Sequence, residues 1–277
     1  GKIDYQKLQR VVFDAVHFLD NIIDINRYPL PKVEKIVKAN RKIGLGVMGF
    51  ADLLCQLGIS YYSDQALQIA EHLMTFIASQ AKIASKKLAE IRGVFPNYPK
   101  SIYAEKNLPL RNATLISVAP TGTISLIAGC SSGIEPYFAL IYRRFVLENT
   151  ELIEINPLLE DQLKLLKIEE KVRKQIWEKG SLKDIDGVPE SLHSLFLTAL
   201  EIPATFQVQI QAVFQKQVDN AVSKTINLPT EATPEEIGQA YFLAHQLHCK
   251  GITVYRYQSR ENQVLYLGSG EKECENC

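Results

Sequence analysis

Apolar side chains recur every three to four residues through 5–25, at Leu8, Val12, Ala15, Leu19, Ile22 and Ile23. That spacing predicts a helix with one greasy face, and YPLP at 28–31 predicts its end. A second helix is expected over Asp64–Arg92, opened by Ser63 or Asp64 and closed by Gly93. A third amphipathic pattern covers 204–220. In 233-TPEE-236, Thr233 can cap, Pro234 suits a first turn and Glu236 can reach back to the cap, so a helix should run from there to about His248. Residues 150–200 are charged and helical in pattern, most clearly in EDQLKLLKIEEKVRKQIWEKG, and read as an insertion or outer layer.

Three apolar or β-branched runs predict strands: 113-ATLISVA-119, 222-VSKTINL-228 and 251-GITVYRY-257. The last two bracket the capped helix, and such a crossover implies a parallel pair and an α/β class. Ligands in parallel sheets and barrels sit past the carboxyl ends of the strands. The loops PTGT, PTEAT and QSREN are therefore expected to face one site.

With 277 residues, 46% of them hydrophobic and 22% charged, the chain is of the ordinary globular type, in one or two domains. The 31 basic residues balance the 31 acidic ones, which argues against a nucleic-acid partner and makes any phosphate binding local. No apolar run is long enough for a membrane span, and GKIDYQKLQR lacks the apolar core of a signal peptide. A cytoplasmic protein with no membrane association is expected, and Gly1 suggests a piece of a longer chain or a processed product. Cys55, Cys130, Cys249, Cys274 and Cys277 are too few and too unevenly spaced for a disulfide scaffold.

The segment 44-GLGVMG-49 matches G-x-G-x-x-G, but charged KANRK precedes it in place of a buried strand, so the glycines read as packing or turn positions. In PTGTIS, backbone N–H groups freed by glycine and two hydroxyls can surround a phosphate without a cation; a plain strand-to-helix turn suits the residues equally well. Cys130 has no neighbouring His or Lys and reads as a packed thiol. His245, His248 and Cys249 fit a polar helix end better than a metal, and no metal site is expected. The pair 274-CENC-277 can be half of a zinc knuckle, a mobile dithiol or a chance pair.

Taken together, 40-NRKIGLGVMGFADLL-54, 111-RNATLISVAPTGTISLIAGCSSGIEP-136, 219-DNAVSKTINLP-229 and 250-KGITVYRYQSR-260 resemble the large catalytic subunit of ribonucleotide reductase, in its adenosylcobalamin-dependent class. The resemblance runs through nearly the whole chain in order. It implies the C-terminal half of a ten-stranded α/β barrel, in which a ribonucleotide is reduced at its 2′ carbon by thiyl-radical chemistry. It gives Pro120, Thr121, Gly122, Thr123 and Ile124 to the loop that holds the substrate's phosphates. The family's radical cysteine lies in N-x-C-x-E, which does not occur here, so no catalytic residue is expected in this chain. Cys274 and Cys277 resemble the dithiol that re-reduces the active site, which divides the chain into a barrel part, 1–262, and a flexible tail, 263–277. The resemblance further implies adenosylcobalamin or, as the alternative, a metal-radical small subunit. Its implied partners are an N-terminal half in cis or trans, a thioredoxin-like reductant and a second copy in a homodimer. The rival is a non-catalytic phosphate-binding or assembly module of the same fold.

Overall fold

The computed structural model describes residues 1–146, 150–168, 170–259 and 265–267. Helix α1 (Tyr5–Ile25) starts where the Asp4 carboxylate accepts the Lys7 N–H, and it buries Val12, Val16, Asp20 and Ile23. The buried face is rotated from the predicted one, leaving Ile22 at the surface. YPLP ends α1 as expected, but Pro31 also opens a new helix, α2 (Pro31–Asn40). Proline's fixed φ and missing N–H cost nothing in a first turn. After α3 (Phe50–Leu57) comes α4 (Asp64–Arg92), capped by Ser63, whose hydroxyl accepts the Ala66 N–H, and followed by Gly93. α1 packs along α4, whose buried side includes Ala66, Ala70, Ala78, Ala81 and Ala84. Two short helices follow, α5 (Ile102–Glu105) and α6 (Ile124–Ala128).

An ion cluster pins these elements together. Asp20 of α1 is fully buried, and its carboxylate accepts from Arg41 Nε (2.9 Å), Arg92 Nη1 (3.1 Å), Arg111 Nε (3.3 Å) and Asn112 Nδ2 (3.0 Å). Arg41 also reaches Asp24 at 2.7 Å. Arg41 follows α2, Arg92 ends α4, and Arg111 and Asn112 lead into the run 113–119.

The run 113–119 is extended but does not form the expected regular strand. It makes single parallel bridges on both sides, Ile116 with Leu45 and Val118 with Val222. The N–H groups of Leu115 and Ile116 go instead to Asp219 Oδ2, at 2.8 and 3.1 Å, which takes them out of any backbone ladder. The chain 43–46 lies against this run, and a Cβ on Gly46 would stand 2.3 Å from the Ser117 carbonyl oxygen. Only glycine allows that approach, so the packing reading of GLGVMG holds.

Strands β1 (Ile141–Val146) and β2 (Thr150–Ile155) form an antiparallel pair, with Ile141 opposite Ile155 and Val146 opposite Thr150. Helices α7 (Pro157–Leu165), α8 (Glu170–Lys179) and α9 (Glu190–Leu195) follow. The strand pair corrects the all-helical reading of this middle part. The outer-layer reading also fails, because Leu159, Leu163, Ile176, Leu192 and Phe196 are buried in the same core as α1 and α4. Their apolar contacts outweigh the charged surface that dominated the sequence pattern.

The last part matches expectation closely. α10 (Ala204–Gln215), β3 (Thr225–Leu228), α11 (Pro234–Gln246) and β4 (Thr253–Arg256) form a crossover with β3 and β4 parallel, Thr225 opposite Thr253 and Leu228 opposite Arg256. Thr233 and Glu236 make both bonds of the capping box. Val208, Ile226, Ala240 and Ala244 bury the α10–β3–α11 contact. Strand β5 (Leu265–Leu267), within the segment read as a tail, pairs antiparallel with β1. Among the described residues no helix is long and apolar enough to cross a membrane.

Candidate phosphate-binding site

The parallel segments run in one direction through Leu45, Ile116–Val118, β3 and β4, so the loops at their carboxyl ends emerge on one side. PTEAT and QS meet there: the Thr230 hydroxyl donates to Gln258 Oε1 at 3.3 Å, and Arg256 Nη1 donates to the Thr230 carbonyl at 3.1 Å. The rest of QSREN, Arg260 onward, lies outside the described residues, as do Cys274 and Cys277.

Pro120–Ile124 forms an exposed loop that leads into α6. Among the described residues the N–H groups of Gly122, Thr123 and Ile124 have no protein acceptor. Thr123 stands at the N-cap of α6, yet its side chain makes no capping bond. No Lys or Arg occurs between 112 and 142. These are neutral donors, and a phosphate oxygen is a fitting acceptor for them.

Thr121 plays a different part from the one the residue type suggests. Its φ is +56°, in the left-handed region, at a cost of about 1–3 kcal/mol for a β-branched residue. Its Oγ1 accepts the Gly133 N–H at 2.7 Å and lies 3.3 Å from Ser132 Oγ, which itself donates to the Pro120 carbonyl at 2.5 Å. With the Ser132 proton committed to Pro120, the Thr121 hydroxyl donates to Ser132. Both hydroxyls are spent on holding the loop, so the free donors are Gly122, Thr123 and Ile124.

The loop 129–133 that grips Thr121 is in turn held by the first turn of α3. Gly49, at φ +80°, donates its N–H to the Ser131 carbonyl at 2.7 Å, and the Asp52 carboxylate accepts from the Ser131 N–H and from the Tyr137 hydroxyl. Asp52 and Tyr137 were not singled out from the sequence; an acid inside FADLL, next to glycines already explained by packing, was the available signal. Burial, and then the Asp52 charge, hold the Tyr137 hydroxyl protonated, far above the usual phenol range. Burial pushes the Cys55 thiol up to about 11 and raises Cys130 as well. Neither thiol is poised as a nucleophile, and Cys130 packs against Gly49 as a small apolar group.

Two buried polar groups also escaped the sequence reading. Lys224, with its side chain wholly buried, donates to Glu135 Oε2 at 2.6 Å and to Gln207 Oε1 at 3.1 Å, while Glu135 Oε1 accepts the Thr225 N–H at 2.6 Å. This ties the GIEP turn to the start of β3. Burial holds the Lys224 ammonium below the ordinary lysine range, with Glu135 pulling the other way. Gln207, Gln211 and Gln215, one turn apart on α10, are buried and donate to the carbonyls of Ala199, Gly251 and Asn220.

The family model for the ribonucleotide reductase barrel domain matches residues 1–110 and 105–255. The chain belongs to the ribonucleotide reductase barrel-domain family. It is 48% identical to a vitamin B12-dependent ribonucleoside-diphosphate reductase of Thermoplasma acidophilum, over 98% of this chain and 35% of that protein. A protein of the same description from Mycobacterium tuberculosis is 44% identical over 96% of this chain and 38% of its own length. The chain thus spans about a third of the length of these relatives. Among solved structures, the alpha subunit of the class Id ribonucleotide reductase of Actinobacillus ureae superposes with a TM-score of 0.77 at 23% identity, over 92% of this chain and 47% of that one. The α/β class and the reductase-barrel type expected from the motifs are borne out. Each of the four resembling segments contributes a described residue to the parallel pairing, Leu45, Ile116 and Val118, Val222 and β3, and β4.

Proposed function

We propose that this chain forms the substrate-phosphate end of a ribonucleotide reductase catalytic subunit. Pro120–Ile124 grips the phosphates of a ribonucleotide whose 2′ carbon is reduced by a radical cysteine from outside the chain. The observation that carries the reading is the row of unpaired N–H groups at Gly122, Thr123 and Ile124 in a neutral, exposed loop. Pro120 and Thr121 shape that loop, and Thr123 adds a hydroxyl. Neutral donors bind a phosphate without placing cations beside radical chemistry.

Exposed apolar side chains support a missing complement. Val11, Phe18, Ile22 and Ile25 mark the outer side of α1, and Ile127 beside the loop is 83% exposed. Patches of this kind mark surfaces that are covered in an assembly. In this reading an N-terminal half, in cis or trans, covers them and supplies the N-x-C-x-E cysteine. The whole enzyme is placed in the cytoplasm, as a homodimer.

The names of the relatives favour adenosylcobalamin for the whole enzyme. The described residues by themselves do not fit the group. Two cavities among the described residues, of about 570 and 420 Å³, are each too small for a corrin with its nucleotide, and they are lined mainly by apolar or solvent-facing residues. Among described buried side chains only Gln211 Oε1 lacks a partner.

Changing Gly122→Ala together with Thr123→Val leaves the backbone donors in place but sets a methyl on the loop's open face and removes the Thr123 hydroxyl, and should raise the dissociation constant for a nucleoside diphosphate by about tenfold, the scale of one lost bond to an anion. Calorimetry checks it, with the unfolding midpoint as control; unchanged affinity removes the assignment. Cys274 and Cys277 are proposed as the re-reducing dithiol, because thiol–disulfide exchange needs only a reachable thiolate. With both changed to serine, the reconstituted enzyme should stop after about one turnover on a dithiol-protein reductant; sustained turnover contradicts this. A second reading, a phosphate-binding or assembly module without chemistry, is favoured by the absence of N-x-C-x-E from the chain.

A further inference from the structure

We propose that Asp52 is a positioning residue for the loop Pro120–Ile124, acting on it from a different helix; its weight for function rests on the phosphate reading above. Asp52 stands in the first turn of α3, where an acidic side chain ordinarily serves its own helix's N–H groups. The N-cap of α3 is Gly49, and no side-chain cap is made. The free N–H groups of this turn reach across to another loop instead: Gly49 to the Ser131 carbonyl (2.7 Å), Phe50 to the Gly133 carbonyl (3.4 Å) and Asp52 to Ser131 Oγ (3.3 Å). The Asp52 carboxylate answers in the opposite sense. Its Oδ2 accepts the Ser131 N–H at 2.5 Å, and its Oδ1 accepts the Tyr137 hydroxyl at 2.7 Å. Ser131 is therefore held at its N–H, its carbonyl and its hydroxyl by one helix end.

Two residues further on, the Gly133 N–H bonds Thr121 Oγ1, and between them Ser132 bonds both Thr121 and the Pro120 carbonyl. Any shift of Ser131 is carried to Thr121. That residue needs the outside bonds, since its left-handed backbone is unfavourable for threonine. Thr121 in turn sets the direction of Gly122, Thr123 and Ile124, the donors with no acceptor of their own. Tyr137, buried and protonated, fixes the carboxylate from behind. A helix first turn is thus used to lock a remote loop in one shape before a ligand arrives.

Amide hydrogen exchange on this same chain tests the proposal. The reporters are the N–H groups of Gly133 and Ser125, which bond Thr121 Oγ1 and the Thr121 carbonyl, with the amides of α4 as internal reference. Asp52→Ala should speed exchange at both reporters by about tenfold or more relative to α4, the scale of bonds to a charged acceptor. Asp52→Asn, which keeps a carbonyl oxygen for Ser131, should do so by less. Asp52→Ala should also raise the dissociation constant for a nucleoside diphosphate by about tenfold. Unchanged exchange at Gly133 and Ser125 overturns the proposal. An equal rise throughout α4 does the same, since it reports general loosening; a loosened loop with unaltered affinity contradicts the phosphate reading and leaves the positioning role standing. If the parent chain binds no nucleoside diphosphate, the phosphate reading fails, while the exchange ratios still decide whether Asp52 positions the loop.

Discussion

Replacing Asp20 by alanine is expected to lower the unfolding free energy by about 3–5 kcal/mol, the range for removing one partner of a buried ion pair. The carboxylate is wholly buried and serves Arg41, Arg92, Arg111 and Asn112 together. Without it the 4%-exposed Arg41 side chain keeps Asp24 and the backbone carbonyl of residue 20, and one of the two Asn112 amide N–H groups loses its acceptor. Four parts of the chain lose their common anchor. Asp24 provides the contrast. It bonds the same arginine, but its side chain is 50% exposed, and Asp24→Ala should cost no more than about 1 kcal/mol. The hydrogen bond from Arg41 lowers the Asp24 pKa from 3.8. A depressed acid stabilises the fold above its unfolded pKa, and that small contribution fades as pH falls below 3.8 through the folded value. Urea unfolding of the two variants at neutral pH measures both effects. Equal losses would show that burial does not set the scale.

The second large effect is expected at Glu135. Glu135→Ala leaves the Lys224 ammonium buried, with only Gln207 and the Thr225 carbonyl as acceptors, and frees the Thr225 N–H. The expected loss is again about 3–5 kcal/mol. Its pH dependence has a definite sign. Burial depresses the folded pKa of Lys224 below 10.5, so the unfolded chain holds more protons between the two values and stability rises with pH there. The alanine variant loses the opposing pull of Glu135, and its deficit at pH 7 should exceed its deficit at pH 10. Pairing Glu135→Gln with Lys224→Met removes the charge as well, and should restore most of the loss. A deficit that stays constant between pH 7 and 10 would mean that the lysine is not the source.

Much of the fold is legible from local signals. α4 begins at its serine cap and ends before its glycine, and the TPEE box with flanking β-branched runs foretells the parallel β3–α11–β4 unit. These elements carry their boundaries in their own residues. Other features depend on distant partners. ATLISVA has the composition of a strand, but Asp219, about a hundred residues away, takes two of its donors. Pro31 can stop or start a helix, and only the chain's path chooses. The charges of 150–200 hid a β pair and a row of core leucines. In the proposed site, a turn leading into a helix was legible from PTGTIS. The division of labour within it was not, because the role of Thr121 depends on Ser132 and Gly133, and theirs on Asp52. The acid within the apolar stripe of α1 at Val12, Val16, Asp20 and Ile23 was a visible sign of a buried charge cluster. The glutamines at every fourth position of α10 were a sign of a polar spine.

The central claim, that this chain grips the phosphates while the radical arrives from elsewhere, is tested most directly by reconstitution. The chain is mixed with a polypeptide carrying the part of the relatives' length that it does not span, together with adenosylcobalamin, a ribonucleoside diphosphate and a dithiol reductant, and the deoxyribonucleotide formed is counted. No product is expected from either polypeptide alone and sustained product from the mixture, with a raised KM when Gly122 and Thr123 are changed. Product from the chain by itself, or a tight but inactive complex, would contradict the claim.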